Sequence, residues 1–488
     1  METVISNPKI KNKCQIFTPN SITKKMLDLA GYNDSIFGRK VLENSCGDGQ
    51  ILSELVKRYI INSLEQGKSL KRIKKGLEND IWGLDIDEEL IIKCKSKLDK
   101  IASEYDIFDV NWNVKKYDFI TTNFKISFDY IIGNPPYIAY PDLPEKIRDY
   151  VKNNYVTCQK GKFDYSYAFI EKSYNLLSDT GVLVYIIPSN MFKNVFASSL
   201  RDLIKDDLNL ICDFPNDQIF EDVLVSPAII KVCKNSKTKT VKYIQEQQGT
   251  KIKKDLDKEN FSEKWIFDTV MHKGANKVGD YFKVSSSVAT LLNEAFVVRN
   301  CTFDKDFCYI DNKRIEKSIL KKAASPKNKK YGKYDEYIIF PYYFDQNGNL
   351  NHYTENEMME KFPCALQYLN QFREKLDKRD SDKTAKWYEY GRSQAIQHIN
   401  QPMLLMSSVI SECTKAYLLN EEEVPYSGLY IIPKGNVTLQ ELEKQLNSSA
   451  FIEHISKVGV CVSGNSKRIT PSDIENFVCS FNKEENYE

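Results

Sequence analysis

Short apolar runs alternate with longer amphipathic stretches through the first half of the chain. The runs at Lys40–Glu43, Ile81–Leu84, Phe128–Ile132, Val182–Ile187, Leu208–Cys212 and Ala228–Val232 read as strands. Several are apolar at successive positions rather than at every second one, the pattern of a strand covered on both faces. Between them, Ile51–Ile61 and Tyr167–Leu177 carry helical spacing. This regular succession predicts an α/β domain built on a doubly wound sheet. From about Val241 the texture changes. Lys242–Asn260 is polar and charged, and short strands and helices then mix without βα regularity, which predicts a second, mixed α+β domain. Two domains, 1–245 and 246–488, are the simplest division, and no internal repeat or low-complexity tract interrupts it.

The chain has 488 residues, of which 42% are hydrophobic and 12% aromatic, enough for folded cores. Its 69 basic and 67 acidic residues leave a net charge of +2, which excludes a globally basic protein and confines any nucleic-acid face to a local patch. One candidate is Lys313–Lys333, with nine basic residues against the single acid Glu316. Within it Lys321, Lys322, Lys327, Lys329 and Lys330 are candidate phosphate contacts, although a solvated lysine face accounts for the run almost as well. A second stretch, Gln371–Gln394, interleaves basic and aromatic residues. There Arg392 suits a guanine edge and Gln394 an adenine edge. The twelve cysteines include no C-x-x-C pair, and four histidines offer little material for a metal centre, so no metal is expected and the cysteines read as reduced, small apolar residues. No apolar run reaches the length of a membrane span and the N-terminal residues lack a signal-peptide core, so a soluble, cytoplasmic protein is expected.

Four segments carry chemistry. Val41 to Gly49 (VLENSCGDG) ends a strand in a turn with two glycines, with a helix beginning near Ile51. Such a turn admits a ligand to the backbone at the carboxyl end of a parallel strand. The spacing lacks the third glycine of a dinucleotide site. Glu43 would repel a pyrophosphate but suits a cofactor bearing an ammonium and a sulfonium; an ordinary strand–turn–helix joint explains the same residues. Asp85 ends the next strand and can accept bonds from both hydroxyls of a ribose, whereas Asp87 better fits a helix cap. Asp118, in Tyr117-Asp118-Phe119, can receive an adenine amino group or simply face solvent.

The fourth segment runs from a buried strand into Asn134-Pro135-Pro136-Tyr137. Two prolines fix the backbone and delete two N–H donors, and the first holds Asn134 extended. The product is a rigid ledge offering the Asn134 amide oxygen and the Pro135 carbonyl beside the Tyr137 ring. It can accept both hydrogens of a planar amino group.

These segments, in this order, resemble the γ-class (TaqI-like) DNA adenine-N6 methyltransferases of restriction-modification type. The likeness begins at Gln15-Ile16-Phe17-Thr18-Pro19, close to that family's F-x-TP motif but lacking its intervening residue. It continues through Gly161-Lys162-Phe163-Asp164-Tyr165, Ala168–Lys172, Gly181–Pro188 and Phe220–Pro227, and more weakly at Trp387–Gln394. The resemblance implies a Rossmann-like catalytic domain using S-adenosylmethionine and a C-terminal target-recognition domain on double-stranded DNA. Thr18 and Glu43–Gly49, including Asn44, Cys46, Gly47 and Gly49, would line the methionine end, with Asp85 on the ribose and Asp118 on the adenine amino group. Ile86, Phe119 and Phe169 would pack the adenine, and Asn134 would border the cofactor as well as the target. Asn44-Ser45-Cys46 replaces the family's frequent Pro-Ala-Cys.

By the same resemblance the target adenine flips out of the duplex, stacking on Tyr137 and Phe220, and the enzyme acts as a monomer, with a separately encoded endonuclease as a possible companion. A protein-glutamine or RNA methyltransferase would use the same ledge, but leaves the Phe-Thr-Pro segment and the C-terminal half idle. The nuclease-like string Pro141–Lys146 has its acids too close together and reads as loop.

Overall fold

A nine-stranded sheet organises the first half of the molecule. The computed structural model describes residues 18–215, 226–247, 249–267, 276–332, 335–411, 413–435, 437–463 and 466–479. Within them β1 (Val41–Glu43), β2 (Ile81–Asp85), β3 (Asn113–Lys116), β4 (Phe128–Gly133), β5 (Leu177–Pro188), β6 (Leu208–Asp213), β7 (Pro227–Cys233), β8 (Thr240–Gln247) and β9 (Thr250–Asp257) pair in the order 3-2-1-4-5-7-6-8-9. Strands β3 to β5 along that order are parallel, while β7 and β9 run antiparallel to their neighbours.

Successive residues on a strand face opposite sides of the sheet, and both sides here are apolar. Val41, Ile81, Ile132, Val184 and Ile186 pack under α1 (Asn20–Ala30), α2 (Gln50–Glu65), α3 (Leu70–Asp80) and α4 (Glu88–Ser103). Leu42, Leu84, Ile131, Leu183 and Tyr185 face α5 (Glu145–Asn154), α6 (Ser166–Leu176) and α7 (Ser198–Ile204). The sheet is thus doubly wound. Its winding reverses between β1 and β4, and the crevice at the carboxyl ends of those two strands is where such sheets bind ligands.

Two compact units divide the chain, 1–271 and 272–488. The change of sequence texture places the division at 245/246, but β9 hydrogen-bonds along β8 and carries the first unit's sheet to Asp257. The second unit is sheet-rich and mixed. One four-stranded sheet joins 282–286, 429–433, 403–406 and 416–419; another joins 297–298, 337–339, 320–324 and 423–425. Helices Glu355–Lys361 and Pro363–Asn370 cover their common core. The string Pro141–Lys146 spans a short turn, Tyr140–Asp142, and the start of α5. Among the described residues no helix is long and apolar enough to cross a membrane.

Candidate active site at the strand ends

One cavity at the β1/β4 crevice gathers most of the residues singled out in the first unit. Thr18, Glu43, Asn44, Cys46, Gly47, Asp85, Ile86, Asp118, Phe119, Asn134, Pro135, Tyr137 and Phe169 all line it. Gly49 does not. It precedes the first turn of α2 with φ +90°, and a Cβ there would fall 2.6 Å from Cys94 Sγ on α4. Glycine at 49 therefore permits the turn and the helix packing behind the wall. Phe220 lies outside the described residues.

The wall is built from backbone amides and carboxylates. Glu43 is 3% exposed and its Oε2 accepts the Leu52 N–H at 3.0 Å. Both Asp85 oxygens accept backbone N–H groups, from Gly47 and Asp87, each at 2.9 Å. The Asp85 carboxylate therefore ties the glycine turn to the end of β2. Burial pushes the Glu43 carboxyl well above the usual carboxylate range, and burial also raises Asp85. Two desolvated acids beside one cavity form a site short of positive charge.

Asn44 shows what replaces the family's proline. Its Nδ2 donates to Ser173 Oγ at 2.9 Å and to the Tyr185 hydroxyl, a buried network linking β1 to α6 and β5. Its Oδ1 is buried with no hydrogen-bond partner among the described residues.

The ledge is clamped at three points. Asn134 Nδ2 donates to Thr18 Oγ1 at 3.3 Å, the Tyr137 hydroxyl meets Asn134 Oδ1, and Ser45 Oγ donates to the Asn134 carbonyl at 2.9 Å. The Tyr137 O–H also faces the Ile186 carbonyl on β5. Tyr137 is thus a buttress of the amide as well as a ring beside it, a role that the motif alone does not disclose. Beyond the ledge, Ala139 bridges Asp164 and the Tyr165 N–H donates to the Ile138 carbonyl at 2.9 Å, which brings Tyr165 into the cavity wall. Burial raises the Asp164 carboxyl to about 6, against the opposing bonds from Ser166.

The far end of the cavity is aromatic. Phe119 and Phe169 lie 5.3 Å apart between ring centroids. Sequence reading missed the group that holds this end in place. Lys172 Nζ donates to the carbonyls of Ile120 (3.0 Å) and Thr122 and sits over the rings of Phe119 (5.1 Å) and Phe124 (5.5 Å). Burial lowers its ammonium to about 8, opposed by Asp118. The signal that could have found it is its position on α6 one turn beyond Phe169.

The second unit distributes its candidates differently. Lys321 and Lys322 are consecutive on the strand Leu320–Ala324 and so face opposite sides. Lys322 is exposed, whereas Lys321 is half-buried over the rings of Phe340 and Phe344. Lys329 pairs with Glu423 at 2.5 Å; Lys327 and Lys330 are exposed on the helix Pro326–Tyr331. The 313–333 run is therefore no single surface. Arg392 is paired with Asp380 (3.0 Å) and Asp382 (3.1 Å), and Gln394 is exposed. The aromatic part of that stretch is core: Tyr388 and Tyr390 are 2% and 1% exposed.

A doubly wound sheet with an acid-lined, aromatic-ended cleft at its switch point, closed by a proline-braced amide, defines a Rossmann-like methyltransferase architecture. Residues 50–220 match the family model of the Eco57I restriction-modification methylase. The chain is 26% identical over 375 residues to the type II restriction enzyme and methyltransferase RM.Eco57I of Escherichia coli, covering 68% of this chain and 36% of that protein. It is 27% identical over 241 residues to the type II methyltransferase M.BstVI of Geobacillus stearothermophilus (46% and 43% covered). To M.HincII of Haemophilus influenzae it is 24% identical over 383 residues (75% and 67%). The chain spans only 36% and 43% of the first two of these relatives. The solved structure of the type IIL restriction-modification enzyme MmeI in complex with DNA shares the fold, with a TM-score of 0.59 at 11% identity over 94% of this chain and 64% of that one. Residues 50–220 are thus similar to the Eco57I restriction-modification methylase domain, in agreement with the resemblance read from the motifs.

Proposed function

We propose that this chain transfers a methyl group from S-adenosylmethionine to the N6 amino group of an adenine flipped out of double-stranded DNA. The observation that carries the reading is the convergence, in one cavity, of Glu43–Gly47, Asp85, Asp118–Phe119 and the Asn134–Tyr137 ledge.

The residues present fit the cofactor. Desolvated Glu43 and Asp85 call for a cationic partner, the orphaned Asn44 Oδ1 awaits a donor, and Phe119 and Phe169 offer apolar faces to a planar base. Bound S-adenosylmethionine supplies a methyl group already activated on a sulfonium. The chain's own task is then to hold and prepare the nucleophile. An adenine amino group is a poor nucleophile because its lone pair is delocalised into the ring. Asn134 Oδ1 and the Pro135 carbonyl accept its two hydrogens, which favours a pyramidal nitrogen and returns the lone pair. The Tyr137 hydroxyl, set between Asn134 Oδ1 and the Ile186 carbonyl, holds the amide in place. Thr18 and Ser45 hold the amide and its peptide from the other side. Fixing the amine in this way converts a bimolecular displacement into a local one. The methylated nitrogen is cationic and sheds its proton readily, so the ledge needs no strong base. In this reading the first unit, residues 1–271, is catalytic, the second, 272–488, reads the target sequence, and the protein acts as a monomer.

The test is to incubate the full chain with isotopically labelled cofactor and duplex DNA, RNA or protein, then digest and identify the methylated species. N6-methyladenine in duplex DNA is expected, and Asn134→Ala should abolish transfer while cofactor binding remains measurable. Label appearing in RNA or on protein glutamine instead, or a near-normal rate in the variant, overturns the reading.

A further inference from the structure

A second feature stands at the same end of the sheet, outside the cavity. Gly133 pairs with Tyr185 in parallel register, so the chain leaves β5 on the side of the ledge. Two loops meet there. The loop 157–163 leads into Asp164 and Tyr165, which pair with residues 138 and 139 just past the ledge. The loop 189–197 follows β5 and is firmly built. The Arg201 guanidinium, 2% exposed, donates to the carbonyls of Met191 (2.8 Å), Asn194 (2.7 Å) and Glu263. Asn194 Oδ1 accepts the Phe196 N–H at 3.0 Å, and the Trp265 N–H donates to the Phe192 carbonyl at 2.9 Å.

So much internal bonding ends in exposed apolar surface. Val195 is 57% exposed and Phe196 40%, and Val156, on a turn packed against the same helix α7, is 61% exposed. The Phe196 ring rests on Gly161, whose φ is +70° and where a Cβ would fall 2.1 Å from the ring. Glycine at 161 is what lets the two loops close on each other. Residues 157–163 and 192–197 contain Lys160, Lys162 and Lys193 and no acid; Lys160 and Lys162 are exposed. A fixed apolar knob with exposed lysines beside it suits a polyanion with apolar sugar and base surface behind its charges.

We propose that these loops form a DNA-contacting rim on the first unit, with Lys160 and Lys162 on phosphates and Phe196 against the sugar–base surface beside the target nucleotide. The proposal rests on the DNA methyltransferase reading and extends it to residues outside the cavity. Neutralising phosphates releases counterions, so the loss of two such contacts flattens the salt dependence of binding, whereas loss of an apolar contact lowers affinity at every salt.

The experiment is fluorescence anisotropy of the full chain on a labelled duplex across a salt series, with cofactor binding followed by calorimetry. Lys160→Ala/Lys162→Ala should weaken binding about tenfold at moderate salt and reduce the slope of log K against log salt by roughly one to two. Phe196→Ala should weaken binding about five- to twentyfold with the slope kept, and Phe196→Trp should restore it. Cofactor affinity should stay at the wild-type value in all three, which separates the rim from a folding defect. Wild-type affinity and slope in both the double lysine variant and Phe196→Ala overturn the rim. If the wild type methylates DNA in that case, the rim alone fails; if it methylates only RNA or protein and does not bind duplex, the function and the rim fall together.

Discussion

The cavity of the first unit and the basic run of the second were both legible as strings of residues, yet they fold into opposite outcomes. Thr18, Glu43, Asp85, Asp118, Asn134 and Phe169 are far apart in the chain and share one cavity. Lys321 and Lys322 are adjacent and face opposite sides. The difference lies in topology. In a parallel sheet every strand delivers its carboxyl end to the same edge, so residues at strand ends converge whatever their separation. Within a single strand the side chains alternate, so a charge run divides between a wet face and a buried one. Motifs placed at strand ends are therefore stronger guides to a site than contiguous charge.

The sharpest way to break the comparison is at the ledge. Tyr137→Ala removes ring and hydroxyl and should lower kcat by about two orders of magnitude or more, about 3 kcal/mol. Tyr137→Phe keeps the ring but removes the hydroxyl beside Asn134 Oδ1 and should cost roughly five- to tenfold. Equal rates for Tyr137→Phe and wild type would show that only the ring matters.

Next in size is a pH effect beside the ledge. The native Asp164 carboxyl titrates near 6, above its unfolded value near 4. Between those values the native state binds more protons, so this group makes stability fall as pH rises through about 4 to 6. Asp164→Asn should flatten that part of a denaturation–pH profile, by on the order of 1–3 kcal/mol. A profile with the same slope in the variant would place the carboxyl in water.

At the aromatic end, Lys172→Met should weaken cofactor binding up to about tenfold by calorimetry, about 1.4 kcal/mol, with kcat at saturating cofactor largely kept. Lys172→Arg should retain most of the affinity. The smallest effects belong to the second unit. Lys322→Ala should lower DNA affinity a few-fold and slightly reduce the salt slope, while Lys321→Ala should leave the slope alone because its ammonium lies over rings. Identical slopes for the two variants would restore the run as one surface.

The six strands read from apolar runs are β1, β2, β4, β5, β6 and β7, all in the interior of the sheet's order. No such run marks β3, β8 and β9. They stand towards the edges, and β3 (NVKK) and β9 (TKIKKDLD) bury only Val114 and Leu256 respectively. A strand whose faces meet water carries no apolar signature, which is also why the division of the chain was read too early. Tyr388 and Tyr390 were misleading in the other direction. Set among basic residues they resemble a nucleic-acid surface, but Tyr390 donates to the Ile339 carbonyl and Tyr388 to the Tyr353 carbonyl inside the core.

By itself the sequence determined the sheet's interior strands, the turn glycines and the proline-braced ledge, because each depends on local rules of burial, backbone freedom and fixed dihedrals. Tertiary structure alone decided that Tyr137 and Thr18 grip the Asn134 amide, that Lys172 pins the aromatic end and that Phe196 closes over Gly161. Those contacts join residues from different strands and loops, and such partnerships exist only once the sheet has brought their ends together.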